Sequence, residues 1–212
     1  MSSHPPLPPT LGAILAGGRA RRLGGGDKML RTVGGRTILA RLAERLAPQV
    51  TRLVLNVNDD PRRLGDSGLV VVPDSLPEHP GPLAGLLAVL EWVARCEPEI
   101  AWVATVPGDA PFLPRNLVAL LHAGRERAGA AIACAASEGR LHPVVGLWPV
   151  SATNALRRAL TVENARKVEA FARRYPIATV AWPTEAVDPF FNVNTVEDLV
   201  QAERLATQHP GL

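Results

Sequence analysis

Short, unbroken apolar runs alternate along this chain with stretches whose apolar residues recur every three to four positions. That alternation constrains the fold more than any other feature. Residues 11–15, 52–57, 69–72, 100–106, 130–135, 144–148 and 177–182 read as strands. Residues 36–46, 82–94, 113–127, 162–174 and a segment opening at Thr195 read as helices, and Ser151 or Thr153 is expected to cap another that runs to Leu160. The run at 100–106 is apolar at nearly every position, as in a central strand covered on both faces. Pro82 suits a first helical turn, where its missing N–H is no loss, and Thr195 followed by Asp198 is a variant capping box. Strands separated by helices require right-handed crossovers, so the expected fold is α/β with a mostly parallel sheet covered on both sides. Residues 1–10 carry four prolines and read as a disordered tail, 11–207 as a single domain and 208–212 as a C-terminal tail.

In such a sheet a ligand sits beyond the carboxyl ends of the strands. Polar residues should therefore follow the apolar runs, and they do. Gly17 and Gly18 follow the first, Asn56 and Asn58 close the second, Asp74 follows the third and Asp109 the fourth, while Asn192 and Asn194 precede the last helix. The segment 17–28 has five glycines, four cations (Arg19, Arg21, Arg22, Lys28) and one anion, Asp27. Glycines let backbone N–H groups turn toward a ligand and the cations add complementary charge, a pairing suited to polyphosphate. The net charge of the whole 212-residue chain is +3, and the four cations less one anion of this segment account for all of it. One anionic small-molecule site is thus favoured over a nucleic-acid face, which would spread its basic residues along a groove.

Several classes are excluded. No Gly-Lys-Ser/Thr triplet is present, and no Gly-x-Gly-x-x-Gly leads from the first strand into a helix, so neither a P-loop nor a dinucleotide fingerprint exists. Cys96 and Cys134 lack CxxC spacing and read as small core residues in a reducing, cytoplasmic setting. No apolar run approaches the roughly 20 residues that cross a bilayer. Asp109 reads either as a hard carboxylate for a divalent cation or as a turn former between Pro107 and Pro111, and Asp74 has the same two readings. Asn192 and Asn194 alternate and so face one side of an extended chain, which reads either as the site or as a turn. His142 reads as a loop residue, and Arg166 and Lys167 as a solvated helix face.

Five motifs in order make the chain resemble the molybdenum cofactor guanylyltransferases. They are Leu15-Ala16-Gly17-Gly18 with Arg22-Leu23-Gly24-Gly25-Gly26-Asp27-Lys28; Pro80-Gly81-Pro82-Leu83-Ala84-Gly85; Asp109-Ala110-Pro111-Phe112; His142-Pro143-Val144-Val145-Gly146-Leu147-Trp148; and Phe191-Asn192-Val193-Asn194-Thr195-Val196-Glu197-Asp198-Leu199. Val196 departs from the proline usual in the family, and Leu23 from methionine. The resemblance implies a Rossmann-like three-layer domain of the nucleotide-diphospho-sugar transferase type. It implies transfer of GMP from GTP to molybdenum-molybdopterin with Mg²⁺ as cofactor. Leu15, Ala16, Gly17 and Gly18 would contact the nucleotide and Lys28 its phosphates. Asn56 and Asp74 would hold the guanosine, Asp109 both nucleotide and Mg²⁺, and the segments around His142 and Asn192 to Thr195 the pterin. Arg22 and Lys28 would neutralise the departing pyrophosphate. Upstream molybdenum-insertion proteins or molybdoenzyme chaperones are the implied protein partners. A cytidylyl- or sugar-phosphate transferase of the same fold, or a nucleotide-binding regulator without transfer, stays open from the residues themselves.

Overall fold

The computed structural model describes residues 7–16, 27–58, 67–76 and 81–211. Its elements alternate as the hydrophobic periods require. Strand β1 spans Thr10–Leu15 and is buried throughout. A small hairpin follows, β2 (Thr32–Val33) and β3 (Arg36–Thr37), and leads into helix α1, Ile38–Leu46. Helix α1 starts two residues later than its apolar stripe predicts, because Arg36 and Thr37 pair with the preceding strand. Thr37 becomes the N-cap, its Oγ1 accepting from the Ala40 N–H at 3.1 Å. Next come β4 (Arg52–Asn56), β5 (Val70–Val72), α2 (Pro82–Cys96) and β6 (Trp102–Pro107). The second half holds α3 (Leu117–Arg127), β7 (Ile132–Ser137), β8 (Arg140–Pro149), α4 (Thr153–Thr161), α5 (Val168–Ala172), β9 (Ile177–Ala181) and α6 (Val196–Gln208).

Among the described residues the strands form a seven-stranded sheet in the order β5-β4-β1-β6-β8-β7-β9, with β2 and β3 apart. The pairs β1–β4, β1–β6, β4–β5 and β7–β9 are parallel, while β8 runs antiparallel to both neighbours. The expectation of a mostly parallel sheet therefore holds. The period of two in β1 sends Leu11, Ala13 and Leu15 to one face, against α2, α4 and α5, and Ile14 to the other, against α1, α3 and α6. Helices thus cover both sides, and among the described residues no helix is long and apolar enough to cross a membrane.

Several expectations need correction. Residues 130–135 and 144–148 are strands as expected, but they extend into the two arms of one hairpin, because Glu138 and Gly139 both take positive φ (48° and 74°) and let β7 turn directly into β8. The helix expected over 162–174 breaks. Val162 and Glu163 donate back to the Arg158 carbonyl, Asn164 sits at φ 53°, and helix resumes only at Val168. Neither Ser151 nor Thr153 caps α4. The N-cap is Ala152, and the Thr153 hydroxyl donates to the Val150 carbonyl at 2.6 Å instead. Helix α3 starts after Pro114 as expected, but only at Leu117, since a turn at Pro114 comes first. Thr10 belongs to β1 and not to a disordered tail. It is 2% exposed, donates to the Pro8 carbonyl at 2.7 Å, and lies 2.8 Å from His122 Nε2. Cys134 is buried as expected, but Cys96 is exposed at the end of α2.

Candidate functional site

The carboxyl ends of β1, β4, β5 and β6 open onto one cleft of about 270 Å³. The parallel register brings their strand-end residues side by side, and three backbone bonds carry the alignment past the strands. Ala16 N–H donates to the Asn56 carbonyl at 2.9 Å, Gly108 N–H to the Leu15 carbonyl at 3.0 Å, and Val193 N–H to the Asp109 carbonyl at 2.9 Å. The last of these brings the segment before α6 beside the end of β6. Leu15, Ala16, Lys28, Asn56, Asp74, Asp109, Asn192 and Asn194, all expected from the sequence, line this cleft. Gly17, Gly18 and Arg22, with the rest of 17–26, lie outside the described residues. His142 does not line it. Its Nε2 is 2.7 Å from Ser137 Oγ and its ring packs on Phe190 at 4.9 Å, and burial lowers its pKa.

One side of the cleft is an amide-carboxylate clasp. Asn56, 4% exposed, donates from Nδ2 to the Val72 carbonyl at 3.0 Å and to Asp74 Oδ1 at 2.8 Å. Asn58 donates to Asp74 Oδ2 at 2.5 Å and accepts from the Asp74 N–H at 2.7 Å. Both carboxylate oxygens are thereby oriented by neutral groups. Asn58 is expected at the strand end from its spacing to Asn56, but its part in orienting Asp74 is seen only in the structure. Gly85, in the first turns of α2, makes room for the clasp: a Cβ there would stand 2.2 Å from Asn56 Oδ1. Gly81 and Pro82 bring the positive end of the α2 dipole to the cleft wall.

The other side is charged. Lys28 Nζ donates to Asn194 Oδ1 at 2.6 Å and stands 3.5 Å from Asp109 Oδ2. The Lys28 and Asp109 side chains are only 20% and 22% exposed. Burial pushes the Asp109 carboxyl above its ordinary value, while the Lys28 charge and hydrogen bond pull it back down. Asn194 is held in turn by α6, whose Asp198 Oδ2 accepts from the Asn194 and Thr195 N–H groups at 2.8 and 2.9 Å. Asn192 Oδ1 is buried with no hydrogen-bond partner among the described residues, although the residue lines the cleft.

Asp109 sits where it does because of α1. Arg41 and Arg45 are 7% and 6% exposed, and they donate to the carbonyls of Pro111 and Leu113 at 3.3 and 2.8 Å. Their guanidinium groups pin the segment that follows Asp109. On the helical stripe of α1 these two positions fall beside the apolar ones, which is the only sequence signal for their burial.

The described lining carries one ammonium (Lys28) and the carboxylates of Asp27, Asp74 and Asp109. A polyphosphate entering it needs further positive charge. Among the described residues there is no group of three or more His, Cys, Asp or Glu side chains that would cage a metal. A single carboxylate is nevertheless the donor set of a Mg²⁺ that completes its shell with water and substrate phosphate oxygens, so Asp109 fits such an ion.

Residues 12–179 match the model of the MobA-like NTP transferase domain. A molybdenum cofactor guanylyltransferase of Nitrobacter hamburgensis is 52% identical over 205 residues, covering 97% of this chain and 98% of the relative. One of Rhodopseudomonas palustris (strain HaA2) is 53% identical over 208 residues, covering 98% and 96%. Among solved structures, the molybdopterin-guanine dinucleotide biosynthesis protein A of Archaeoglobus fulgidus superposes with a TM-score of 0.74 at 23% identity, over 93% of this chain and 99% of that one. The fold, the strand-end cleft and the near full-length identity agree, and the chain belongs to the molybdenum cofactor guanylyltransferase family of MobA-like NTP transferases.

Proposed function

We propose that this nucleotidyltransferase transfers GMP from GTP to molybdenum-molybdopterin in the cytoplasm, releasing pyrophosphate and giving the guanine dinucleotide form of the cofactor. The observation that carries the reading is the convergence of Lys28, Asp109 and the Asn56–Asp74 clasp on one cleft in a chain of this family. The terminal phosphate of the pterin supplies an oxygen that forms the new bond to the α-phosphorus of GTP, and the bond from that phosphorus to the β-bridging oxygen breaks. A phosphate monoester is largely dianionic near neutral pH, its second pKa being about 6, so the nucleophile needs no general base. Leu15 and Ala16, with Gly17 and Gly18 that follow them in sequence, seat the nucleoside and α-phosphate. Asn56 and Asp74 hold the guanosine. Lys28 and Arg22 take up charge on the leaving pyrophosphate, and Asn192 and Asn194 face the pterin.

Asp109 would hold Mg²⁺, which supplies charge neutralisation on the phosphate oxygens when bound. The contribution of the protein is positioning and electrostatic complementarity, as is general for phosphoryl-type transfer. The test is pyrophosphate release with molybdopterin and Mg²⁺, run in parallel on GTP, CTP, UTP and ATP. GTP alone should turn over well, and Asp109→Ala should lose on the order of 10²-fold or more, as for removal of one preorganised electrostatic group. Equal turnover of CTP, or near-normal GTP consumption by Asp109→Ala, would overturn the reading.

A further inference from the structure

Asp109 has a cation beside it already. The Lys28 ammonium stands 3.5 Å from Asp109 Oδ2 and is fixed from its other side by Asn194 Oδ1 at 2.6 Å. The backbone of Asn194 is anchored beside the capping box of α6, its N–H donating to Asp198 Oδ2 at 2.8 Å. The ammonium is thus parked between a strand end and a helix start that lie far apart in sequence. A divalent cation approaching Asp109 meets this positive charge at close range. Within the described residues, no cluster of metal-type side chains offsets the repulsion.

We propose that Lys28, positioned by Asn194, is the resident counter-ion of Asp109 in the nucleotide-free protein, and that a divalent cation gains Asp109 only as a triphosphate draws the ammonium away. The two roles of the lysine are then successive: placeholder first, phosphate ligand second. Cation and triphosphate bind with positive coupling, since each pays part of the cost of separating Lys28 from Asp109 for the other, and the coupling is reciprocal. This inference rests on the assignment of the metal to Asp109 made above.

The test is a Mn²⁺ titration of the full chain without nucleotide, followed by the loss of the free-ion electron paramagnetic resonance signal. A neighbouring charge at this range shifts the affinity of a carboxylate for a cation by about tenfold or more. Lys28→Met should therefore bind Mn²⁺ about tenfold more tightly than wild type. Lys28→Arg, which keeps the charge, should stay as weak as wild type. Asn194→Ala should show a smaller gain of roughly threefold, because the ammonium is unparked but still present. The gain of Lys28→Met should vanish in the double variant with Asp109→Asn. Lys28→Gln carries the same expectation as Lys28→Met and replaces it should the methionine variant not fold. Unchanged or weaker Mn²⁺ binding in the neutral variants overturns the proposal, as does a gain that survives Asp109→Asn. Neither GTP nor the pterin enters the measurement. A failed base preference for guanine would leave this result intact, and a failed Mn²⁺ exchange would leave the transfer reading intact.

Discussion

Asn56 shows how far the cleft depends on one missing methyl group. Its amide reaches Asp74 only because position 85 has no Cβ, which would otherwise lie 2.2 Å from Asn56 Oδ1. Gly85→Ala is expected to displace the amide while suiting the helix, since alanine is favoured over glycine there by about 1 kcal/mol. Losing one such hydrogen bond is worth about 1–1.5 kcal/mol, so nucleotide affinity should fall roughly tenfold with little change in thermal midpoint. Calorimetric titration with GTP beside a melting curve checks both halves. The two cysteines separate at the same scale. Burial pushes the Cys134 thiol up to about 12, whereas Cys96 is exposed. A thiol reagent should label Cys96 alone in the native protein and Cys134 only after unfolding. The sequence did not separate them, because an apolar neighbourhood along the chain does not reveal which helix end faces water.

At the level of elements, the start of α6 is the best example of a local signal read correctly. Thr195 Oγ1 accepts from the Asp198 N–H at 3.2 Å and Asp198 Oδ2 accepts from the Thr195 N–H at 2.9 Å, so the expected capping box forms with Asp in place of Glu. Thr195→Ala should cost about 1 kcal/mol, seen as a fall in the unfolding midpoint of about 2–4 °C for a domain of this size. Where neighbours compete, local signals fail. The stripe over 162–174 continues across Asn164, yet the chain leaves helix because the Arg158 carbonyl at the end of α4 takes both the Val162 and the Glu163 N–H, after which asparagine tolerates positive φ. The β7–β8 hairpin is hidden from local sequence signals for a related reason. Its turn needs positive φ at Glu138, a residue that does not advertise it.

For the whole molecule, the end of the sheet opposite the cleft bears on acid stability. His122 is 2% exposed, and the Thr10 hydroxyl already donates to Pro8, so His122 Nε2 must carry the hydrogen toward Thr10 while its buried Nδ1 has no partner among the described residues. Burial first, and then the Arg125 charge, pull its pKa from 6.5 to about 4. The unfolded chain therefore takes up this proton before the folded one does. The stability contribution is complete above pH 6.5 and is lost as pH falls toward about 4. The thermal midpoint should drop across that window, and His122→Gln should flatten the drop; an equal slope in both proteins would count against it. On this scale the division between sequence and structure is clear. By itself the sequence determined what short-range periodicity and strand-end placement encode: the α/β alternation, most strand cores, the last helix cap and the polar residues destined for one edge. Only the tertiary structure decided the strand order and the antiparallel insertion of β8. It alone buried Arg41 and Arg45 beneath Asp109's segment and set Lys28 against Asn194. Those contacts join residues far apart along the chain, and local hydrophobic patterns hold no term for them. They exist because packing the sheet leaves particular carbonyls, carboxylates and gaps that only distant side chains can reach.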